Sequence, residues 1–241
     1  MESRNQTSAL PGNLCTLVIM AKAPVAGRVK TRLAQSLPAD AVMELYRCLL
    51  EDTLGLARSL DGVEVVMMCP ASDVDELVRF AGGAVRVVAQ KGEGLASALT
   101  SVFATFSTKG RRIIAFNSDS PHLPASVLQT AFQVLANCDV VVGPTHDGGY
   151  YLVGAKANHP ELFKGDGMGT SSALETLMQR VGDLGLSVRL TDAFYDIDVA
   201  SDLIRLNTEL RQSPPRAPRT AAWFEQWKQV VAQLRPGSGD L

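Results

Sequence analysis

The sequence predicts an α/β domain, a mostly parallel sheet with helices packed on both faces. Three observations lead there. Short β-rich runs alternate with helical stretches along the chain, as in successive strand–helix units. Runs such as LVIM, VEVVMM and RRIIAF are apolar on consecutive rather than alternate positions, as strands covered on both faces are. Polar and glycine-rich segments collect where strands end, the edge at which open parallel sheets bind ligands.

Residues 14–20 read as the first strand, and 39–60 as a helix in which Val42, Leu45, Tyr46, Leu49 and Leu56 recur at helical spacing. Residues 63–69 form the next strand. Ser72 then caps a short helix, with Asp75 completing a Ser-x-x-Asp pattern. Strand 84–89, helix 95–106 and strand 112–117 follow. Pro124 suits a first helical turn, continued by 126–136. Two strands, 140–143 and 150–155, flank a glycine-containing loop. Helix 171–181, strand 186–190 and helix 200–210 complete the expected domain, 14–211. Residues 212–219, with Pro214, Pro215 and Pro218, read as a linker that cannot hold a helix. In 220–235, Trp223, Phe224, Trp227, Val230, Val231 and Leu234 make one apolar helix face, which must bury itself on its own domain or on a second copy of the chain. Residues 1–13 read as a loose tail.

Composition narrows the function classes. With 46% hydrophobic and 20% charged residues over 241 positions, the chain can build a sizeable core. A net charge of −2 supplies no field for non-specific nucleic-acid binding. The polar start and a first apolar run too short for a membrane span speak against export or a membrane anchor. Cys15, Cys48, Cys69 and Cys138 sit far apart inside apolar runs, which disfavours zinc or disulfides and suits a reducing cytoplasm.

Four clusters carry candidate chemistry. The loop after the first strand runs from Lys22 and Ala23 through Gly27 to Arg28, Lys30 and Arg32. Its cations can neutralise phosphate oxygens, and Gly27 lets backbone approach closely. It matches neither an ATPase phosphate loop nor a dinucleotide fingerprint. Second, Asn117-Ser118-Asp119-Ser120-Pro121 puts a carboxylate at a strand end, suited either to a hard cation or to an Asx turn. Third, Thr145-His146-Asp147-Gly148-Gly149 offers an acid or base, although Asp-Gly is also an ordinary hairpin signal. Fourth, Asp196 and Asp198 sit two apart and point the same way on an extended backbone; with Asp119 they would make a divalent-metal site. The alternative use of Asp198 is capping the next helix, a task Ser201 or Asp202 could equally perform. His122 and His159 read as structural or solvated.

The segments KAPVAGRVKTRLA, NSDSPHLP, GPTHDGGYYLVG and DIDVASDL, in this order, resemble a glycosyltransferase-A-like (GT-A) family of uncharacterised nucleotide-diphospho-sugar transferases, of DUF2064 type and related to phospholactate guanylyltransferases. The resemblance implies a Rossmann-like three-layer sandwich and a Mg2+ or Mn2+ bridging a nucleotide diphosphate. Asp119, Asp196 and Asp198 would be metal ligands, with Asp119, Asp147 and Lys30 as catalytic candidates. Lys22, Ala23, Gly27, Arg28, Lys30, Arg32, Gln90, Gly92 and Ser118 would bind the nucleotide, and His146, Asp147, Gly148, Gly149, Thr170 and Ser171 the acceptor or sugar. The chain departs from the family pattern at Ala98, Met168 and Val199, where arginine, tryptophan and threonine are usual. The resemblance favours sugar transfer from a nucleotide-sugar to a small acceptor. The cationic loop instead suits a triphosphate, hence nucleotidylyl transfer with release of pyrophosphate. A nucleotide-binding protein without turnover is the third reading.

Overall fold

The computed structural model describes residues 14–165, 167–212 and 216–234; the predicted tail and the centre of the predicted linker lie outside them. Seven strands form one sheet in the order β3-β2-β1-β4-β6-β5-β7. These are β1 (Cys15–Met20), β2 (Val63–Cys69), β3 (Arg86–Ala89), β4 (Arg112–Asn117), β5 (Val140–Pro144), β6 (Tyr150–Ala155) and β7 (Val188–Leu190). Helices α1 (Ala39–Arg58), α2 (Val74–Ala81), α3 (Gly94–Phe106), α4 (Ala125–Val134), α5 (Ala173–Asp183) and α6 (Ala200–Gln212) connect or follow them. Only β6 runs against its neighbours, pairing antiparallel with both β4 and β5. The carboxyl ends of the other six therefore share one edge.

The consecutive apolar runs have a direct cause. Successive side chains point to opposite faces of a strand, and here both faces are dry. Leu17, Ile19, Ile114 and Phe116 join one core, with Leu50 of α1 and Leu128 of α4. Val18, Ile113 and Ala115 join the other, with Val102 and Phe103 of α3 and Leu177 of α5.

A third apolar layer lies outside α1. Helix α7 (Pro218–Gln226) and the short α8 (Lys228–Val231) pack there, burying Trp223, Phe224 and Val231 with Leu45, Leu49, Leu203 and Leu206. The tryptophan stripe is thus covered by its own domain. The attachment is also polar: Asp52 of α1 accepts the backbone N–H groups of Arg219 (3.0 Å) and Thr220 (2.8 Å), and the Thr220 hydroxyl at 2.7 Å. It does the work of an N-cap from another helix. Trp223 Nε1 donates to the carbonyl of Ala41 at 3.1 Å.

Three local expectations change. Pro218 starts α7 instead of ending a linker, because proline lacks only an N–H that a first turn leaves unpaired. The expected single C-terminal helix breaks at Trp227. Ser72 and Asp73 sit in a 3-10 turn ahead of α2, which has no side-chain cap, because the Asp73 carboxylate is engaged elsewhere. Among the described residues, no helix is long and apolar enough to cross a membrane. All four cysteines are free thiols. Burial pushes those of Cys48 and Cys69 up to about 11, so neither is a thiolate near neutrality.

Candidate active site

The strand ends at the shared edge carry the loops singled out above. After β1, the basic loop is built on two residues of other elements. Asp73, fully buried, accepts the Ala23 N–H and the Arg28 guanidinium, each at 2.8 Å, and the Ser72 hydroxyl. Burial works to raise the Asp73 pKa, but these donors outweigh it and hold the carboxyl below its usual range. Tyr46 of α1 clasps Lys22, its hydroxyl accepting from the backbone N–H and donating to the carbonyl, both at 3.1 Å. The Ala23 amide is therefore committed to Asp73 rather than presented to a ligand.

Two of the three predicted carboxylates, Asp119 and Asp198, meet at one ammonium, and Asp196 lines a cavity with each of them. Ile197 N–H donates to the Asp119 carbonyl and the Ser120 hydroxyl to the Tyr195 carbonyl, both at 3.1 Å, stitching the turn after β4 to the segment before α6. Asp202 caps that helix, accepting the N–H groups of Asp198 and Val199 at 2.9 Å. The capping alternative thus falls to Asp202, and the Asp198 carboxylate takes other partners. Lys30 fills the gap between the loops: its Nζ lies 3.0 Å from Asp119 Oδ1 and 2.9 Å from Asp198 Oδ1, with the side chain 4% exposed. Arg32 stands 3.8 Å from the other Asp198 oxygen.

Charge in this cluster is unevenly balanced. Burial works to lower the Lys30 pKa, but Asp119 and Asp198 outweigh it and hold the ammonium charged. Burial likewise opposes ionisation of Asp198, and Lys30 and Arg32 overcome it. At Asp196 the charge of Lys30 also favours ionisation but is outweighed. Burial, then the charges of Asp198 and Asp119, push its carboxyl up to about 7. The site carries more negative charge than Lys30 cancels.

Three cavities meet here. One of about 250 Å³ is lined by Lys22, Arg28, Lys30, Tyr46, Ser118 and Asp119. A second, also about 250 Å³, is partly apolar, with Met20, Leu95, Leu99 and Tyr150 beside Asp119 and Asp196. The third, about 350 Å³, lies between Arg32, His146, Asp147, Asp196, Asp198 and Arg205. A wider groove of about 870 Å³ runs past Lys91, Glu93, Thr100 and Phe163 without touching any of the three aspartates. The carboxylates and cations, not volume, mark the site.

Other predicted residues have structural duties. Asp147 Oδ1 accepts the Thr145 hydroxyl and the Gly149 N–H, which makes it the brace of its own turn. Gly148 has φ +87°, and a Cβ there would stand 1.9 Å from the Ser171 carbonyl oxygen, so the glycine serves close packing of loop on loop. Gln90 donates from Nε2 to the Gly92 carbonyl. Gln90, Gly92, Thr170 and Ser171 do not line the three cavities. Sequence reasoning passed over Asp73 and Tyr46. A polar residue just past the end of a parallel strand was the available signal for Asp73, hidden by the capping pattern around it.

Carboxylate oxygens are the hard donors a divalent cation prefers, and Asp119 and Asp198 already hold one positive charge between them. Among the described residues, however, no three His, Cys, Asp or Glu side chains form a ready-made metal cage. Lys30 takes the central place.

Residues 53–170 match the model of DUF2064, described as an uncharacterized protein conserved in bacteria. This is the family that the motifs resemble. The match contains Asp119 and the Asp147 turn; the basic loop, Asp196 and Asp198 lie outside it. A relative, the 2-phospho-L-lactate guanylyltransferase of Methanocaldococcus jannaschii, is 25% identical over 77% of this chain and 80% of its own. The crystal structure of a candidate nucleotide-diphospho-sugar transferase from Desulfovibrio desulfuricans G20 superposes with a TM-score of 0.85 at 25% identity, covering 92% of this chain and 98% of that one. The 4-diphosphocytidyl-2C-methyl-D-erythritol synthase of Anaerococcus prevotii shares the fold at TM-score 0.56 and 11% identity, over 83% and 97% of the two chains. The chain has the mixed α/β fold of the nucleotide-diphospho-sugar transferases, with a mostly parallel seven-stranded sheet.

Proposed function

We propose that this protein is a nucleotidylyltransferase, joining a nucleoside monophosphate from a triphosphate to a phosphorylated small acceptor and releasing pyrophosphate. The observation that supports this reading is the cavity lined by Lys22, Arg28 and Lys30 together with Asp119 and Asp198, where cations suited to a polyphosphate stand beside a carboxylate pair. In the reaction, an acceptor phosphate oxygen attacks the α-phosphorus. The bond from that phosphorus to the β-phosphate oxygen breaks, and pyrophosphate departs with the electron pair. Lys22 and Arg28 stabilise the charge that grows on it. Asp119, Asp196 and Asp198 would hold a Mg2+ or Mn2+, which when bound neutralises phosphate charge and polarises the reacting phosphoryl group.

The state of Asp147 also favours this chemistry. A phosphate acceptor is already an anion near neutral pH and needs no base. A sugar hydroxyl acceptor would need one, and the carboxylate that sequence reasoning picked as base is braced within its turn. Sugar transfer from a nucleotide-sugar is the second reading, favoured by the likeness to the Desulfovibrio protein over nearly its whole length.

Thermal unfolding with nucleoside triphosphates or nucleotide-sugars, each with Mg2+, tests both. A ligand at one hundred times its Kd stabilises by about 2.7 kcal/mol. Stabilisation by a triphosphate, with pyrophosphate released on adding phosphorylated small acids, is the expected result. Stabilisation by nucleotide-sugars alone would establish sugar transfer, and stabilisation without any turnover a binding protein.

A further inference from the structure

Two demands fall on the one charge of Lys30. It lines the cationic cavity with Lys22 and Arg28, where phosphates would lie. Yet its ammonium sits 3.0 Å from Asp119 and 2.9 Å from Asp198, almost excluded from solvent. Among the described non-glycine residues, Lys30 alone has a positive φ, +48°, a conformation that L side chains rarely hold without compensation. The two ion pairs supply that compensation. An ammonium and a divalent cation repel strongly at such distances in a partly dehydrated site, so a cation bound to Asp119 and Asp198 disfavours the ammonium between them.

We propose that Lys30 is a built-in counter-ion of the carboxylate site, displaced when a divalent cation binds. In the free protein it neutralises Asp119 and Asp198 and holds the basic loop down onto them. When the cation arrives, the ammonium leaves the pair and turns towards Lys22 and Arg28 in the same cavity, where phosphates of a nucleotide take it up. Cation and nucleotide then bind as a coupled pair, each favouring the other through one side chain. This inference rests on the proposed nucleotide-and-metal reading of the site.

Mn2+ binding to the intact protein, followed by the electron paramagnetic resonance of the free ion, tests it. Lys30→Gln should bind Mn2+ alone about tenfold or more tighter than the wild type, whereas Lys30→Arg, which keeps the charge, should not. Mn2+ should also raise the melting temperature of Lys30→Gln more than that of the wild type. Should Lys30→Gln fail to fold, amidination of wild-type lysines read by mass spectrometry gives the same answer. Lys30 should be protected in the free protein and become several-fold more reactive at saturating Mn2+. Unchanged Mn2+ affinity in folded Lys30→Gln, or unchanged Lys30 reactivity, overturns the inference. Failure of the functional reading shows separately, as a wild type whose stabilisation by triphosphate is the same with Mn2+ and with chelator.

Discussion

Arg28 and Asp73 meet at 2.8 Å across forty-five residues, with the carboxylate fully buried and the guanidinium half exposed. The pair turns a flexible basic loop into a fixed one. One Asp73 oxygen holds the Ala23 backbone and the other aims the Arg28 head. Asp73→Asn keeps the shape but removes the charge from a buried group with several donors. It should cost about 1–3 kcal/mol of stability and weaken nucleotide binding about tenfold. Denaturant unfolding and ligand titration measure the two effects; unchanged nucleotide affinity would show that the loop needs no such anchor.

Asp119→Asn should leave the fold intact, because Asp198 still pairs with Lys30. The substitution removes one of three carboxylates beside the cationic cavity. Turnover should fall about a hundredfold or more, and the part of ligand stabilisation that depends on Mg2+ should vanish. Comparing melting temperatures with Mg2+ and with chelator reads this directly. A Mg2+-dependent shift surviving in Asp119→Asn would remove this carboxylate from the proposed site.

Asp52 is 4% exposed and receives three donors from the start of α7. Asp52→Ala should release α7 and α8 from α1 at a cost of about 2–4 kcal/mol. Trp223 is buried against α1, so the fluorescence maximum should shift to the red before the rest of the protein unfolds. Coincident loss of tryptophan burial and far-ultraviolet signal would instead make this layer one cooperative unit with the sheet.

His122, 4% exposed, has no hydrogen-bond partner at either ring nitrogen among the described residues. Burial depresses its pKa to about 4, with Glu209 opposing and Arg205 and Arg216 adding to the shift. The unfolded chain, with an ordinary histidine pKa near 6.5, then binds the proton more readily. Stability from this group is full above about pH 6.5 and falls as pH drops, the loss levelling off below about 4 at up to about 3 kcal/mol. His122→Leu should flatten that part of the acid-denaturation profile. A profile unchanged by the substitution would assign the acid sensitivity to other groups.

Much of the fold was legible because its cause is local. Strands buried on both faces must be apolar at every position, and Leu17-Val18-Ile19 are split between two cores. The approach of Asp119 to Asp198 was also readable, since parallel strands bring their carboxyl ends to one edge. What escaped was the partner of each charge. Nothing in the run Arg28-Val29-Lys30 says that the first cation meets Asp73 and the second meets Asp119 and Asp198. Nor does Asp147-Gly148-Gly149 reveal that its carboxylate and glycines serve the turn and the Ser171 backbone. Such pairings depend on distances between loops, which spacing along one loop does not encode.

The reversed strand β6 has a mechanical consequence. It stands between β4, which delivers Asp119, and β5, whose parallel neighbour β7 leads to Asp196 and Asp198. The acidic groups thus arrive from strands on either side of β6, whose Tyr150, Tyr151, Leu152 and Val153 line the same cavity as Asp119 and Asp196. A ligand held there would rest on this strand, and amide exchange along β6 should slow on binding.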